Sequence, residues 1–525
     1  MKTLLLQTPV WGVYEPPFAL SLLSAILRKE GEDITAIDLN LELFDSRTSK
    51  YSNSWAIEQS FLWSDPEFTD EFFKENADEI NKHIRRISEL KPDVIGFTLN
   101  LAAKLSALKY AELIKKELPE TKIIFGGHLF IREEEEEINR LLRSGLVDFI
   151  VTGEGDITFP ELLKCIKKGS GFEECEGIIY RKSGEYRRTP PRPLLKDLDS
   201  IPFLDFSELP LDKYQRPHWL GNHLTIQMSR GCPWKCVFCG ATTYWKGFRF
   251  MSGRRMYDEI SFHIKNYPDI EHIEFMDLLI NGSMKSLEEF AELMIASPPK
   301  KGLRWHANAV IRPEMTPQIL RKLKKAGCLR LTYGLESGSQ RVLDLMKKNY
   351  LVSDADKVLR ATHEAGILVK ANFMFGFPGE SEGDFKKTLE MLKRNAEYIA
   401  VAYPSFSFCV PESNSYLGEH TGEFGILENS ADNLYWRSAD GKNTYPERMR
   451  RWEEFSNYAR DLGVDIGIGL NTSLEQHRWF NLGYYYKSIG KPADALGSFQ
   501  KYLSFDPDNK AILKEVALLE STGER

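Results

Sequence analysis

SRGCPWKCVFCGATTYW, residues 229–245, sets Cys232, Cys236 and Cys239 at positions i, i+4 and i+7. It follows the run LTIQMS (224–229), whose apolar and β-branched residues read as a strand, so the thiols sit in a tight loop at a strand end. Soft thiolates select zinc, copper(I) or iron–sulfur clusters. Structural zinc takes four closed ligands, commonly as paired CxxC, and no second CxxC or nearby His/Cys pair follows. Three thiolates on a cubane leave one iron free for an external ligand. A zinc loop, or buried apolar cysteines, is the competing reading.

Downstream of this loop, further strand-like runs recur: HIEFMD (272–277), LRWHANA (303–309), LRLTYGL (329–335), VKANFMF (369–375) and VAYPSFSF (401–408). With LTIQMS they make six strand–helix units, which imply a parallel, partly closed (β/α)6 barrel over 223–410 with its chemistry at the C-terminal strand ends. A helical extension over 411–470 follows. In 471–525, Trp479, Leu482, Gly483, Tyr486, Gly490, Ala495, Phe499 and Pro507 fall on the spacing of a tetratricopeptide repeat. One repeat cannot bury its own face, so it docks on the helix near PERMRRWEEFSNYARDLG or on a partner protein.

Upstream, MKTLLLQT, DITAIDL, DVIGFTL, TKIIFGG and VDFIVTG alternate with helical stretches such as LSALKYAELIKKEL. That alternation predicts an α/β domain over 1–175, a parallel sheet with helices on both faces. Residues 41–90 interrupt it with a helical insertion whose Trp55, Phe61, Trp63, Phe68 and Phe72 either roof a pocket or pack an appendage. A hairpin (GIIYRKSGEYRRT) and a proline-rich connector fill 176–222, where a boundary between packed units is expected.

Composition narrows the partners. The 525 residues carry 69 basic and 76 acidic side chains, net −7. This even mixture predicts no nucleic-acid or anionic-membrane partner and suits a small or apolar substrate. The first residues hold only a short apolar run before polar residues and prolines, too short for a signal peptide or membrane span. Seven cysteines, with Cys165, Cys175, Cys328 and Cys409 scattered, suggest a reducing cytoplasm rather than a disulfide framework.

CxxxCxxC after the first barrel strand resembles the motif of the radical S-adenosylmethionine (SAM) superfamily. The resemblance implies a [4Fe-4S] cluster on Cys232, Cys236 and Cys239, with SAM chelating the free iron and releasing a 5'-deoxyadenosyl radical. Phe238 matches the family aromatic that lies against the adenine. The segment Tyr333 to Ser339 is similar to the family's GxESGS, so Glu336 and Ser337 would offer oxygens to the ribose or the methionyl amine. Phe375 to Glu380 (FGFPGE) is similar to the adenine-side GxPGE loop, with Gly376 and Phe377 as SAM contacts. Asp277 in FMDLL matches an acidic family position, although Leu278 stands where a second acid is usual.

The first domain resembles the cobalamin-binding Rossmann-like domain of one branch of that superfamily. The matching turns are GFTLN, with Thr98 and Asn100; GGH, with Gly126, Gly127 and His128; and GEGD, with Gly153, Glu154 and Gly155. The DxHxxG segment that supplies an axial histidine in other cobalamin proteins is absent, and the first histidine is His83. The resemblance therefore implies cobalamin with an unconventional lower ligand or none.

These likenesses imply cobalamin-dependent methylation of an unactivated carbon. A radical cyclase or rearrangement enzyme of the same branch is the alternative, and a non-catalytic cobalamin or redox sensor acting through the repeat is a third. The implied partners are a small-molecule or carrier-tethered substrate and an electron donor such as flavodoxin or ferredoxin. Methylthiotransferases are disfavoured, because no cysteine precedes Cys165 to hold a second cluster. No residue is assigned as catalytic acid or base. His306 and Arg312 near the third strand end, Tyr244 and Trp245 after the cluster loop, and Lys370 and Asn372 on the fifth strand are candidate contacts. The run Glu133 to Glu137 reads as a solvated helix start.

Overall fold

In a computed structural model the chain forms two compact units, Met1–Gln227 with Arg255–Glu274, and Met228–Arg254 with Phe275–Arg525. The structure describes all residues except 133–134, 183, 215–220, 242–244, 406–407, 428–432, 468–471 and 524–525. Tyr244 and the start of the Glu133 to Glu137 run therefore lie outside the described residues.

The five upstream apolar runs form strands β1 (Lys2–Gln7), β2 (Asp33–Asp38), β3 (Val94–Thr98), β4 (Lys122–Gly126) and β5 (Phe149–Val151), all parallel. Their centres are buried, as a parallel sheet covered on both faces requires. The expected hairpin, β6 (Ile178–Lys182) and β7 (Glu185–Arg188), extends this sheet antiparallel to β5 rather than standing in the connector. The order is β2-β1-β3-β4-β5-β6-β7. The order in which strands are added reverses between β1 and β3, and the carboxyl ends of those two strands are where an open α/β sheet has its ligand crevice.

The aromatic insertion packs on itself. Trp63 and Phe72 are fully buried and Trp55 nearly so. Trp55 and Trp63 meet edge to face at 5.0 Å, and the indole N–H groups donate to Asn40 Oδ1 and Ser54 O at 2.8 Å. Burial with both N–H groups satisfied makes these rings a core, not the roof of a pocket. The proline-rich connector is fastened too: Asp205 pairs with Arg28 at 2.5 Å, and Tyr214 donates to Asp38 at 2.9 Å.

The second sheet runs β15-β14-β13-β12-β11-β8, built from β8 (His223–Ile226), β11 (His272–Phe275), β12 (Arg304–Ala309), β13 (Cys328–Glu336), β14 (Leu368–Phe373) and β15 (Val401–Pro404). The pairs β12–β13, β13–β14 and β14–β15 are parallel. Each strand neighbours the next of the series, as expected of a partial barrel. Two short strands, β9 (Ser229–Arg230) and β10 (Arg249–Phe250), pair antiparallel and close the base of the thiol loop.

At the C-terminus, helices Thr472–Ser488, Pro492–Leu503 and Lys510–Gly523 gather around Ala495, Phe499, Tyr502, Ile512 and Leu519. A Cβ on Gly483 would stand 2.3 Å from the Phe499 ring, so the first two helices touch through a residue without a side chain. Arg478 pairs with Glu453 of helix Tyr445–Asp461 at 2.8 Å, which docks this layer on the helix anticipated from sequence. Among the described residues no helix is long and apolar enough to cross a membrane.

Candidate functional site

The thiol loop is pinned at both ends and in the middle. Gly231 has φ +84°, and a Cβ there would lie 2.0 Å from the Gly247 carbonyl oxygen, so only glycine opens the loop in this conformation. Inside it, Cys239 N–H donates to Cys236 O at 3.1 Å. Val237 N–H donates to Met346 O at 3.1 Å, and Leu417 N–H to Val237 O at 2.8 Å. The three cysteines are half-buried, and none of them is in a disulfide.

Three thiols within one loop suit a soft metal or an iron–sulfur cluster. Burial raises all three thiol pKa values, that of Cys236 to about 11, so binding soft metal would supply the thiolate form that the bare loop disfavours. The Lys348 ammonium opposes that rise at each cysteine.

Lys348 is the residue that sequence reading missed. Its Nζ lies 3.1 Å from Glu336 Oε1 and 6.0 Å from the centre of the Phe238 ring. Burial works against its charge, but Glu336 and the nearby thiols outweigh burial and hold its pKa above the usual value. Glu336, Phe238, Lys348 and the cysteines thus share one neighbourhood, although KKN at 347–349 carries no motif. Glu336 ends β13 at φ +64° beside a break in register, a conformation uncommon outside glycine.

The other proposed SAM contacts have different surroundings. Ser337 is fully buried; its hydroxyl lies 3.3 Å from that of Thr388 and accepts from Ser339 N–H, so it is engaged in holding its own turn. Phe377 is also fully buried, edge-on to Phe424. Gly376 is gripped from outside the motif: Asn443 Nδ2 donates to its carbonyl at 2.9 Å, and a Cβ would lie 2.3 Å from Arg448 Cγ. Gly376 N–H donates to Glu380, which pairs with Arg451 at 2.8 Å. The FGFPGE loop therefore takes its shape from helix Tyr445–Asp461.

Asp277, 1% exposed, accepts from Met228 N–H at 2.9 and 3.1 Å and from the Ser229 hydroxyl. It fixes the chain just before the thiols. Burial raises its pKa to about 7 against these hydrogen bonds. Arg312 donates to Asn281 O at 2.7 Å and lies 5.8 Å from the Trp234 ring within the thiol loop. Arg230 covers the Trp245 ring at 5.8 Å, and His306 is buried. Lys370 Nζ stands 4.6 Å from the Tyr403 ring, while Asn372 pairs in register with Tyr403.

In the first unit the turns after β3, β4 and β5 carry the proposed cobalamin contacts. A Cβ on Gly127 would lie 2.6 Å from the Leu99 oxygen, so the GFTLN and GGH turns touch through bare backbone. Asn100 Nδ2 donates to Val10 O at 3.3 Å and its Oδ1 caps Ala103 N–H at 2.7 Å, while Thr98 ends β3. Gly126 ends β4, His128 is exposed, and Gly153 and Glu154 precede helix Gly155–Lys168. Tyr14, Leu101 and Ile157, 57%, 62% and 41% exposed, lie in or just after the loops that follow β1, β3 and β5. Bare backbone beside exposed apolar side chains suits a large, partly apolar ring ligand such as a corrin. His83 lies elsewhere, buried on helix Ala77–Leu90 with Nδ1 2.8 Å from Tyr110 OH and Nε2 3.1 Å from Glu42, so it is structural.

The family model for the Radical SAM superfamily matches residues 226–392, and that for the B12 binding domain matches 71–163. An uncharacterized methyltransferase of Pyrococcus horikoshii is 26% identical over 447 residues, 83% of this chain and 86% of that protein. An anaerobic magnesium-protoporphyrin IX monomethyl ester cyclase of Rubrivivax gelatinosus is 26% identical over 316 residues, 59% of this chain and 55% of the cyclase. The chain thus spans little more than half the length of the cyclase. Among solved structures, the radical SAM methyltransferase TsrM of Kitasatospora setae, with cobalamin and a [4Fe-4S] cluster bound, superposes with a TM-score of 0.63 at 16% identity, covering 95% of this chain and 99% of that one. Models of a B12 binding domain and of the Radical SAM superfamily thus match successive stretches of the chain, and the second stretch includes the three-cysteine loop.

Proposed function

We propose that the protein is a cobalamin-dependent radical SAM enzyme that methylates an unactivated carbon of a small molecule. The observation that carries this reading is the loop of Cys232, Cys236 and Cys239, within the stretch that the Radical SAM model matches, in a chain whose residues 71–163 match the B12 binding domain model. When bound, the cluster supplies the electron that cleaves SAM, and cobalamin supplies a methyl carrier. The three cysteines would hold the cluster, and Glu336, held by Lys348, would meet the polar end of SAM. Phe238 would lie against its adenine, and the Gly376 to Glu380 backbone would border it. Thr98, Asn100, Gly126 to His128 and Gly153 to Gly155 would line the corrin crevice. Ser337, Phe377 and Asp277 would act on SAM through the backbone they hold.

The likeness to a cyclase supports a second reading, radical cyclisation or rearrangement without methyl transfer. One experiment separates the two. Protein reconstituted without oxygen is supplied with cobalamin, reductant and SAM, and 5'-deoxyadenosine and S-adenosylhomocysteine are followed by mass spectrometry beside a Cys232→Ala/Cys236→Ala/Cys239→Ala control. Both products, dependent on cobalamin and absent from the control, support methylation. Cluster-dependent 5'-deoxyadenosine alone supports the cyclase reading. Neither product, across a panel of candidate substrates, rejects both.

A further inference from the structure

A second group of metal-ligating side chains lies within the first unit, apart from the cysteines in sequence and unlike them in chemistry. Glu15 comes from the loop between β1 and helix Phe18–Lys29, His223 opens β8, and Glu274 lies on β11. One ligand atom from each falls within 4.8 Å of the other two. Chain order does not bring them together; the fold does, because β8 and β11 are neighbours in their sheet and the β1 loop reaches Thr225, whose hydroxyl donates to Glu15 Oε2. His223 is 4% exposed and both glutamates are half-buried, so this is not a solvated acidic patch.

Two carboxylates and an imidazole make an oxygen-rich set with one borderline nitrogen. Such a set suits Mn2+, Fe2+ or Zn2+, whereas the thiol loop selects soft metals. Three protein ligands leave positions open, as in metal sites that take a further oxygen from water or a small molecule. Two half-buried carboxylates with oxygens within 4.8 Å of each other repel when both are charged. A divalent ion between them removes that repulsion.

We propose that Glu15, His223 and Glu274 bind one divalent first-row metal ion, independently of the cluster. The site requires neither cluster nor cobalamin, so it stands or falls separately from the function proposed above. To test it, reconstituted and desalted holoprotein is titrated with Mn2+ without oxygen; free ion is read by electron paramagnetic resonance and bound metal by mass spectrometry. Wild type binds one Mn2+ per chain. His223→Ala and Glu274→Gln each weaken that binding at least about ten-fold, since removing a ligand costs no less than removing its supporting partner. Iron and sulfide content and the circular-dichroism melt report that each variant is folded. If one variant folds poorly, Glu15→Gln supplies the same comparison. The Cys232→Ala/Cys236→Ala/Cys239→Ala chain loses iron but keeps the Mn2+ site. No Mn2+ on wild type, or equal affinity in wild type and folded ligand variants, overturns the proposal.

Discussion

Asp277 anchors the thiol loop, and two substitutions separate that role from direct contact with SAM. In Asp277→Ala the Met228 N–H and the Ser229 hydroxyl both lose their acceptor in a buried site. A buried donor left without a partner costs about 1–3 kcal/mol, so two cost about 2–6 kcal/mol of local stability, enough to loosen the chain just before Cys232. Asp277→Asn keeps one oxygen for both donors and is expected to cost about 1 kcal/mol or less. The same carboxyl sets a pH dependence. Burial raises its pKa from 3.8 to about 7, so in that window the folded chain keeps a proton that the unfolded chain has released. Stability therefore falls as pH rises from about 4 to about 7, by at most about 4 kcal/mol, and levels off above. Asp277→Asn removes that slope. The assays are iron and sulfide per chain after reconstitution, denaturant midpoints at pH 5 and pH 8, and KM for SAM in 5'-deoxyadenosine release. Low iron in the alanine variant, with iron restored by asparagine, supports the anchor. Wild-type iron in Asp277→Ala together with a raised KM for SAM refutes it and returns Asp277 to the role of a ligand contact.

Three further substitutions test the packing around the site. Gly231→Ala forces a Cβ onto the Gly247 carbonyl at positive φ, and iron per chain should fall several-fold even where the circular-dichroism spectrum is unchanged. Arg451→Met leaves Glu380 buried without its partner, a loss of about 3–5 kcal/mol at pH 8. Burial pushes the Glu380 pKa to about 7, so this loss should shrink as pH falls below 7; a loss equal at pH 5 and pH 8 contradicts the electrostatic account. Gly483→Ala should part helices Thr472–Ser488 and Pro492–Leu503, costing about 1–3 kcal/mol by overpacking. Limited proteolysis should then cut within the last 50 residues while iron content stays at the wild-type level.

The strand series and the three-cysteine loop were readable from the chain alone, because both are local signals. Apolar runs of a few residues state their own strands, and spacings of four and three state a ligand loop whatever surrounds it. A parallel sheet with helices on both faces followed from the alternation of those runs with helices, whereas the order β2-β1-β3-β4-β5 came from the fold; the last helices followed from the pattern of Leu482, Gly483, Ala495 and Phe499. Tertiary structure decided everything that depends on which distant side chain arrives. The aromatic rings of the insertion were equally suited to a pocket or a core, and only the fold showed their indole N–H groups satisfied inside. Ser337 and Phe377 sit in motif positions, but packing turned them onto Thr388 and Phe424. Lys348 belongs to no pattern, and its place beside Glu336 and the thiols exists only because the chain after helix Gln340–Leu345 meets the thiol loop, where Val237 N–H donates to Met346 O. Arg451 on Glu380, Asp277 on Met228, and the meeting of Glu15, His223 and Glu274 arise in the same way. A periodicity can say which face of a segment is buried; it carries no information about which partner buries it, and charge, protonation and metal affinity all depend on that partner.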